Sequence, residues 1–333
     1  MASLGSAIQG HRFGVVVAKA TFDYSDGHPE LVADEPYPVL QEDAPTRLGL
    51  LPRDDLVPEQ GRFEVILLGK AYASRGLAPH VTVRLSVGDI QRELLVSGNR
   101  TWERQGNEFV PGRSETFDTL DLTWANAFGG TATVEIDEGS FLELPCSRNP
   151  DGKGYAPRDQ LPGLRQLLQC EGDFPRLHTD PKVPNITRPE DAPTLGQELE
   201  PVCWATLPLS SGFFVDQFDV NTRKWEATNP RIRRCHPDWF IGPPERGAMV
   251  RMEGVGRHPV EFSLPELRVI ADFAMSGASG RRELFPVSLV LLPEEARFYL
   301  VYKRLIRVSA SAASAPVLRL RVSEGWRTEE TPS

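Results

Sequence analysis

The run Cys235-His236-Pro237-Asp238 puts a thiol, an imidazole and a carboxylate side by side, the chemical set of a nucleophilic hydrolase. Adjacent residues on an extended chain point to opposite faces, so Cys235 and His236 would seldom meet as nucleophile and base. The expectation is a buried cysteine beside a surface histidine, without catalysis. Metal ligation has no firmer footing. His11, His28, His80, His178, His236 and His258 are scattered, with no helical i,i+4 pair and no alternate-strand pair. The acidic pairs Asp54-Asp55, Glu190-Asp191 and Glu294-Glu295 fall in expected loops, where a solvated turn is their ordinary role. The chain holds no G-x-x-x-x-G-K-[ST], H-E-x-x-H or G-x-S-x-G, and no G-x-G-x-x-G after a strand. No catalytic, cofactor or metal site is assigned.

Two other places combine side chains suited to recognition or anchoring. In Gly98-Asn99-Arg100-Thr101-Trp102 a glycine turn presents an arginine beside a tryptophan. That pair suits a cation–π contact or a guanidinium fork anchoring a loop, and a position at a hairpin end favours the structural role. The stretch from Trp124 to Tyr155 holds Ala127-Phe128-Gly129-Gly130 and, after a strand-like run, Asn149-Pro150-Asp151-Gly152-Lys153-Gly154-Tyr155. Tandem glycines allow positive φ and close backbone approach, Pro150 and Asp151-Gly152 set a tight turn, and aromatics at both ends offer packing. These read as two constrained, aromatic-pinned loops of a β protein.

The elements that must position them are mostly strands. Phe13 to Phe22 is rich in β-branched residues and reads as a buried strand from which Lys19 projects. Residues 23 to 60 read as a long loop, and Phe63 to Leu68 as a second strand. Val81, Val83, Leu85 and Val87 alternate with polar residues; Gly88-Asp89 turns, and Ile90 to Val96 returns as the partner. Phe117 to Trp124 and Val134 to Leu144 add strands. A short helix is expected over Asp159 to Cys170, with Leu161, Leu164, Leu167 and Leu168 on one face. Prolines at 175, 181, 184, 189, 193 and 201 make the following stretch a surface strap, not a core element. Beyond it, 248 to 255, 260 to 264, 267 to 275, 283 to 292, 296 to 307 and 316 to 322 read as an antiparallel meander. The expected fold is mainly β: two packed antiparallel sandwich-like domains with few short helices. Residues 1–170 form the first, 171–210 a Pro-rich linker or strap, 211–324 the second and 325–333 a flexible tail.

Composition narrows the function classes. The chain has 333 residues, 40% hydrophobic and 25% charged, enough for a sizeable core. A net charge of −9 argues against nucleic acid or an anionic membrane as partner. Basic clusters such as Arg231, Arg233, Arg234 and Arg281-Arg282 are exceptions that ordinarily lie on solvated surface. Four widely spaced cysteines, Cys146, Cys170, Cys203 and Cys235, fit reduced thiols, and no basic segment followed by an apolar one opens the chain. A cytoplasmic protein is expected, with the sequons at Asn99 and Asn185 unused.

Taken in order, the landmarks resemble the domain of unknown function 2169 family, found in gene clusters for bacterial type VI secretion. Val16 to Phe22 is similar to that family's opening Val-Lys-Ala-Thr-Phe strand, with Lys19 as its lysine. Asp54 to Pro58 and Val65 to Ala73 match the next block, and Gly98 to Trp102 matches a Gly-Asp-Arg-x-Trp signature in which Asn99 replaces the acid. Ala127 to Gly130 and Asn149 to Tyr155 match the two most specific motifs; Pro237 to Phe240 and Pro243-Pro244 follow more loosely. The resemblance implies a non-catalytic adaptor or chaperone that bridges a type VI effector, or its PAAR-containing tip, to the VgrG spike. It also marks Lys19, Arg100, Trp102, Gly129, Gly130, Asn149, Pro150, Gly152 and Gly154 as family-motif positions, structural or interacting, not catalytic. Two readings compete: a β-sandwich hydrolase using Arg100, Asp238 or Glu245 in a cleft, and a carbohydrate-binding module with a planar exposed row of tryptophans.

Overall fold

The computed structural model describes residues 11–33, 62–74, 76–207, 235–275, 278–308 and 317–324, with strand pieces at Ser6–Ile8, Ala44–Thr46, Gly49–Leu51, Phe218–Asp219 and Lys224–Trp225. Asp54 to Pro58 and Arg231, Arg233 and Arg234 lie outside the described residues. In chain order the strands used below are β1 (His11–Asp23), β2 (Phe63–Leu67), β3 (His80–Val87), β4 (Ile90–Ser97), β5 (Thr131–Asp137) and β6 (Ser140–Pro145). Helix α1 (Leu161–Leu168) and β7 (Ile186–Thr187) come next. Then come β8 (Met249–Glu253), β9 (Val260–Ser263), β10 (Leu267–Met275), β11 (Ala278–Leu292), β12 (Arg297–Val308) and β13 (Val317–Glu324). The protein is mainly β, with several antiparallel sheets. Among the described residues no helix is long and apolar enough to cross a membrane.

The larger sheet joins the two ends of the chain. β1 pairs antiparallel with β12 from Arg12↔Val308 to Asp23↔Arg297. Val15, Val16, Val17 and Ala18 are all buried, the mark of a strand covered on both faces. β12 then pairs with β11, whose first half faces β10 and whose second half faces β2. The β2 contact, Ser288↔Glu64 to Leu291↔Leu67, is parallel, an exception to the antiparallel expectation. Pro286 falls where the β11–β12 register shifts, a bulge that tolerates a residue without an N–H.

The second sheet runs β7-β4-β3-β8-β9, with the β3–β4 hairpin in the register its alternation predicts. The two sheets meet through aromatic rings. Phe262 of β9 stacks on Phe298 of β12 with centroids 4.7 Å apart, and Phe298 stacks on Phe22 of β1 at 4.9 Å. One contiguous apolar cluster spans both sheets, from Val15 and Phe63 through Leu85 and Met252 to Tyr302.

Several expectations change. The strand expected over 134–144 is a hairpin, β5 and β6, because Glu138-Gly139 turns with Gly139 at φ 74°. The strand expected over 117–124 shrinks to Thr119–Asp121, and Trp124–Asn126 forms a 3-10 turn. Helix α1 is shorter than expected and ends at Gln169 in the left-handed region; none of its leucines is fully buried, and Leu167 is 78% exposed. β10, β11 and β12 follow the meander, but β13 returns beside β10 instead of β12. The strap also enters the core: Val183 and Asn185 to Thr187 are buried, and Ile186–Thr187 extends the second sheet against β4.

Candidate functional site

The glycine motifs meet at one corner. Phe128–Gly129 pairs in parallel with Lys153–Gly154, which brings the two motif loops side by side. Asn149 is fully buried between them. Its Nδ2 donates to the Trp124 carbonyl at 2.8 Å and the Phe128 carbonyl at 2.9 Å. Its own carbonyl accepts from the Gly130 N–H at 2.8 Å and the Gly152 N–H at 3.3 Å, the second closing a turn through Pro150 and Asp151.

Such packing leaves no room for a Cβ. Gly130 has φ 98°, and a Cβ there would lie 2.6 Å from the Gly152 carbonyl oxygen; at Gly154, with φ 97°, it would lie 2.8 Å from Pro184 Cδ. At Gly129 and Gly152 the added atom would collide with Asn149 itself. These four glycines are therefore conditions of the corner closing.

Asn185 ties that corner to the hairpin end. Its Nδ2 donates to the Ser97 carbonyl at 2.8 Å, its Oδ1 accepts from Lys153 Nζ at 2.6 Å, and its N–H donates to the Asn126 carbonyl at 2.9 Å. Being buried, Asn185 offers no glycosylation site in the folded chain. Sequence reasoning missed this role, since only the sequon marked the residue. Next to it, Arg100 Nη2 donates to the Pro184 carbonyl at 2.8 Å, while its buried Nε has no hydrogen-bond partner among the described residues. Burial lowers the pKa of Arg100; Lys153 is lowered by burial and then by the charge of Lys182. His80, whose Nδ1 lies 3.0 Å from Ser97 Oγ, is lowered by burial and then by Arg100. A polar cleft of about 300 Å³ opens here, lined by Gly98, Asn99, Glu115, Asn126 and Asn185 among others.

The structure thus gathers Gly129, Gly130, Asn149, Pro150, Gly152 and Gly154 into one corner and links Arg100 to it through Pro184 and Asn185. Trp102 begins the adjoining hairpin Trp102–Gln105 with Glu108–Pro111, and its buried Nε1 has no hydrogen-bond partner among the described residues. Lys19 sits in the large sheet instead, its ammonium 4.5 Å from the centre of the Tyr299 ring.

The Cys235 to Asp238 run differs from expectation in one respect: His236 is fully buried, not on the surface. Its ring stacks on Trp124 at 6.2 Å, beneath a 3-10 turn that opens at Pro237. Nδ1 accepts from the Asp238 N–H at 3.1 Å and Nε2 lies 3.2 Å from the Pro201 carbonyl, so both nitrogens are engaged by backbone groups. Nδ1 also lies 3.4 Å from the Asp238 carboxylate. The Asp238 carboxylate meets Arg188 Nη2 at 3.2 Å. Burial alone would raise its pKa, but contacts with His236 and Arg188 outweigh this and hold it down at about 2. Cys203 is buried with Sγ 3.5 Å from the Leu122 carbonyl, and desolvation pushes its thiol up to about 12. Among the described residues no group of three or more His, Cys, Asp or Glu side chains is placed to hold a metal. Of the tryptophans with described side chains, Trp124, Trp204 and Trp239 are buried and Trp102 is half-buried, so they form no flat exposed row.

A family model described as an uncharacterized protein conserved in bacteria (DUF2169) matches residues 9–303. No curated protein and no solved structure matches the chain.

Proposed function

From the premise that this chain belongs to the DUF2169 family, we propose that it is a non-catalytic cytoplasmic adaptor or chaperone. In this reading it binds a type VI secretion effector, or the PAAR-containing tip of one, and assists its loading on the VgrG spike. The observation that carries the reading is where the motif side chains go. Asn149 and Arg100 engage main-chain carbonyls, Lys153 the amide of Asn185, and Lys19 the ring of Tyr299. Groups spent in this way stiffen a frame; a reacting site would instead hold them toward a substrate. A stiff β frame with open strand edges suits the capture of an extended segment from another protein.

Co-expression with the effector encoded beside this gene tests the reading. The expected result is a soluble complex that co-purifies. An effector that stays soluble alone, binds nothing and is delivered normally without this chain would sink it.

A further inference from the structure

The last described strand, β13, pairs with β10 and, among the described residues, with nothing else. Its register places Leu320 against Ala271 and Val322 against Val269. Those two β10 residues are buried in the core, whereas Leu320 is 45% and Val322 51% exposed. The core face of the sheet therefore runs on to its edge and stops there uncovered. On the opposite face Arg319 and Arg321 are exposed. Arg321 Nε lies 3.0 Å and Arg281 Nε 2.8 Å from the single carboxylate of Asp272, and Arg319 has no ion pair among the described residues. This edge is positive on a chain whose net charge is −9.

We propose that the open edge of β13 is a docking site for an extended acidic segment of a partner protein. Such a segment would add one strand to the sheet, with alternate apolar residues covering Leu320 and Val322 and acidic residues facing Arg319 and Arg321. A second copy of this chain fits worse. In an antiparallel self-pair centred on Leu320, Arg319 would stand opposite Arg321, and like charges directly opposed destabilise a strand pair. The chemistry stands on the edge itself; only the partner's identity as an effector rests on the adaptor reading.

The probe is a labelled, end-blocked ten-residue peptide of alternating glutamate and valine, titrated into the full chain and followed by fluorescence anisotropy. Controls are the lysine–valine peptide and the glutamate–valine peptide N-methylated at alternate backbone amides. The acidic peptide should bind at least about tenfold more tightly than either control. The double variant Arg319→Glu/Arg321→Glu should reverse the charge preference. Arg319→Glu alone breaks no described ion pair and keeps the test available if the double variant fails to fold. Absence of binding, equal binding of acidic and basic peptides, or indifference to N-methylation each overturns the proposal. So does self-association of the wild-type chain through this edge that Arg319→Glu strengthens, since a glutamate would then stand opposite Arg321 of the second copy. An effector captured equally by wild-type and variant chains, with no peptide binding, removes this edge and leaves the adaptor reading; peptide binding without effector capture does the reverse.

Discussion

The side-chain amide of Asn149, fully buried, donates to the carbonyl of Trp124 at 2.8 Å, across 25 positions of sequence. That bond, with its twin to Phe128, holds the two glycine loops in one corner. Asn149→Ala should cost about 2–4 kcal/mol, because two buried carbonyls each lose a donor, Trp124 keeping only the longer bond from the Ala127 N–H. Asn149→Asp should cost more at neutral pH, since a carboxylate offers acceptors where donors are required. Urea unfolding of the two variants measures both; a loss under about 0.5 kcal/mol for alanine would show that the corner does not depend on this amide.

Two glycines make a matched pair. A Cβ at Gly130 would meet the Gly152 carbonyl at 2.6 Å, whereas at Gly163, within α1, nothing lies within 4 Å. Gly130→Ala should destabilise by about 2–4 kcal/mol through overpacking and a positive φ. Gly163→Ala should raise stability by up to about 1 kcal/mol through helix propensity. Calorimetric Tm values should move in opposite directions, and equal shifts would contradict the packing described.

Acid sensitivity should trace in part to Asp238. Its pKa is lowered from 3.8 to about 2 in the folded chain, so its contribution is complete above the unfolded value and is lost as pH falls toward 2. Because the carboxylate is 25% exposed, the expected contribution is discounted to about 1–2 kcal/mol. Asp238→Asn should therefore unfold with a smaller stability difference between pH 5 and pH 2.5 than the wild-type chain. Identical pH profiles would assign the acid transition elsewhere.

Arg100→Ala leaves the Pro184 carbonyl without its guanidinium donor and should lower stability by about 1–3 kcal/mol. A lower Tm with effector binding intact marks Arg100 as a brace. An unchanged Tm with binding lost would make it a contact residue.

The thiols offer an inexpensive check on burial. Cys146, Cys203 and Cys235 are buried and Cys170 is partly exposed. Under native conditions iodoacetamide should label Cys170 first, with Cys203 inert because its thiol is held protonated up to about 12. Peptide mapping that found Cys203 labelled before Cys170 would contradict the arrangement.

Local pattern made some of this legible in advance. The β3–β4 hairpin could be read because Val81 to Val87 alternates and Gly88-Asp89 turns, both within a few residues. Gly129, Gly130 and Gly154 could be marked as backbone-critical because glycine pairs beside aromatics signal conformations other residues avoid. The burial of His236 is not legible locally, because the ring it stacks on, Trp124, lies more than a hundred positions away in sequence. Asn185 was invisible for the same reason: its partners Ser97, Asn126 and Lys153 come from three separate stretches.

The sequence by itself determined a β-rich chain, its main hairpin and the order of its landmark loops, because alternation and turn chemistry act over short separations. Only the tertiary structure decided that β2 lies parallel to β11, that β13 closes beside β10 with no second strand partner among the described residues, and that Asn149 and Asn185 carry the corner. Those outcomes depend on which distant strands bury one another's apolar faces, a choice made by the whole core and written in no single segment.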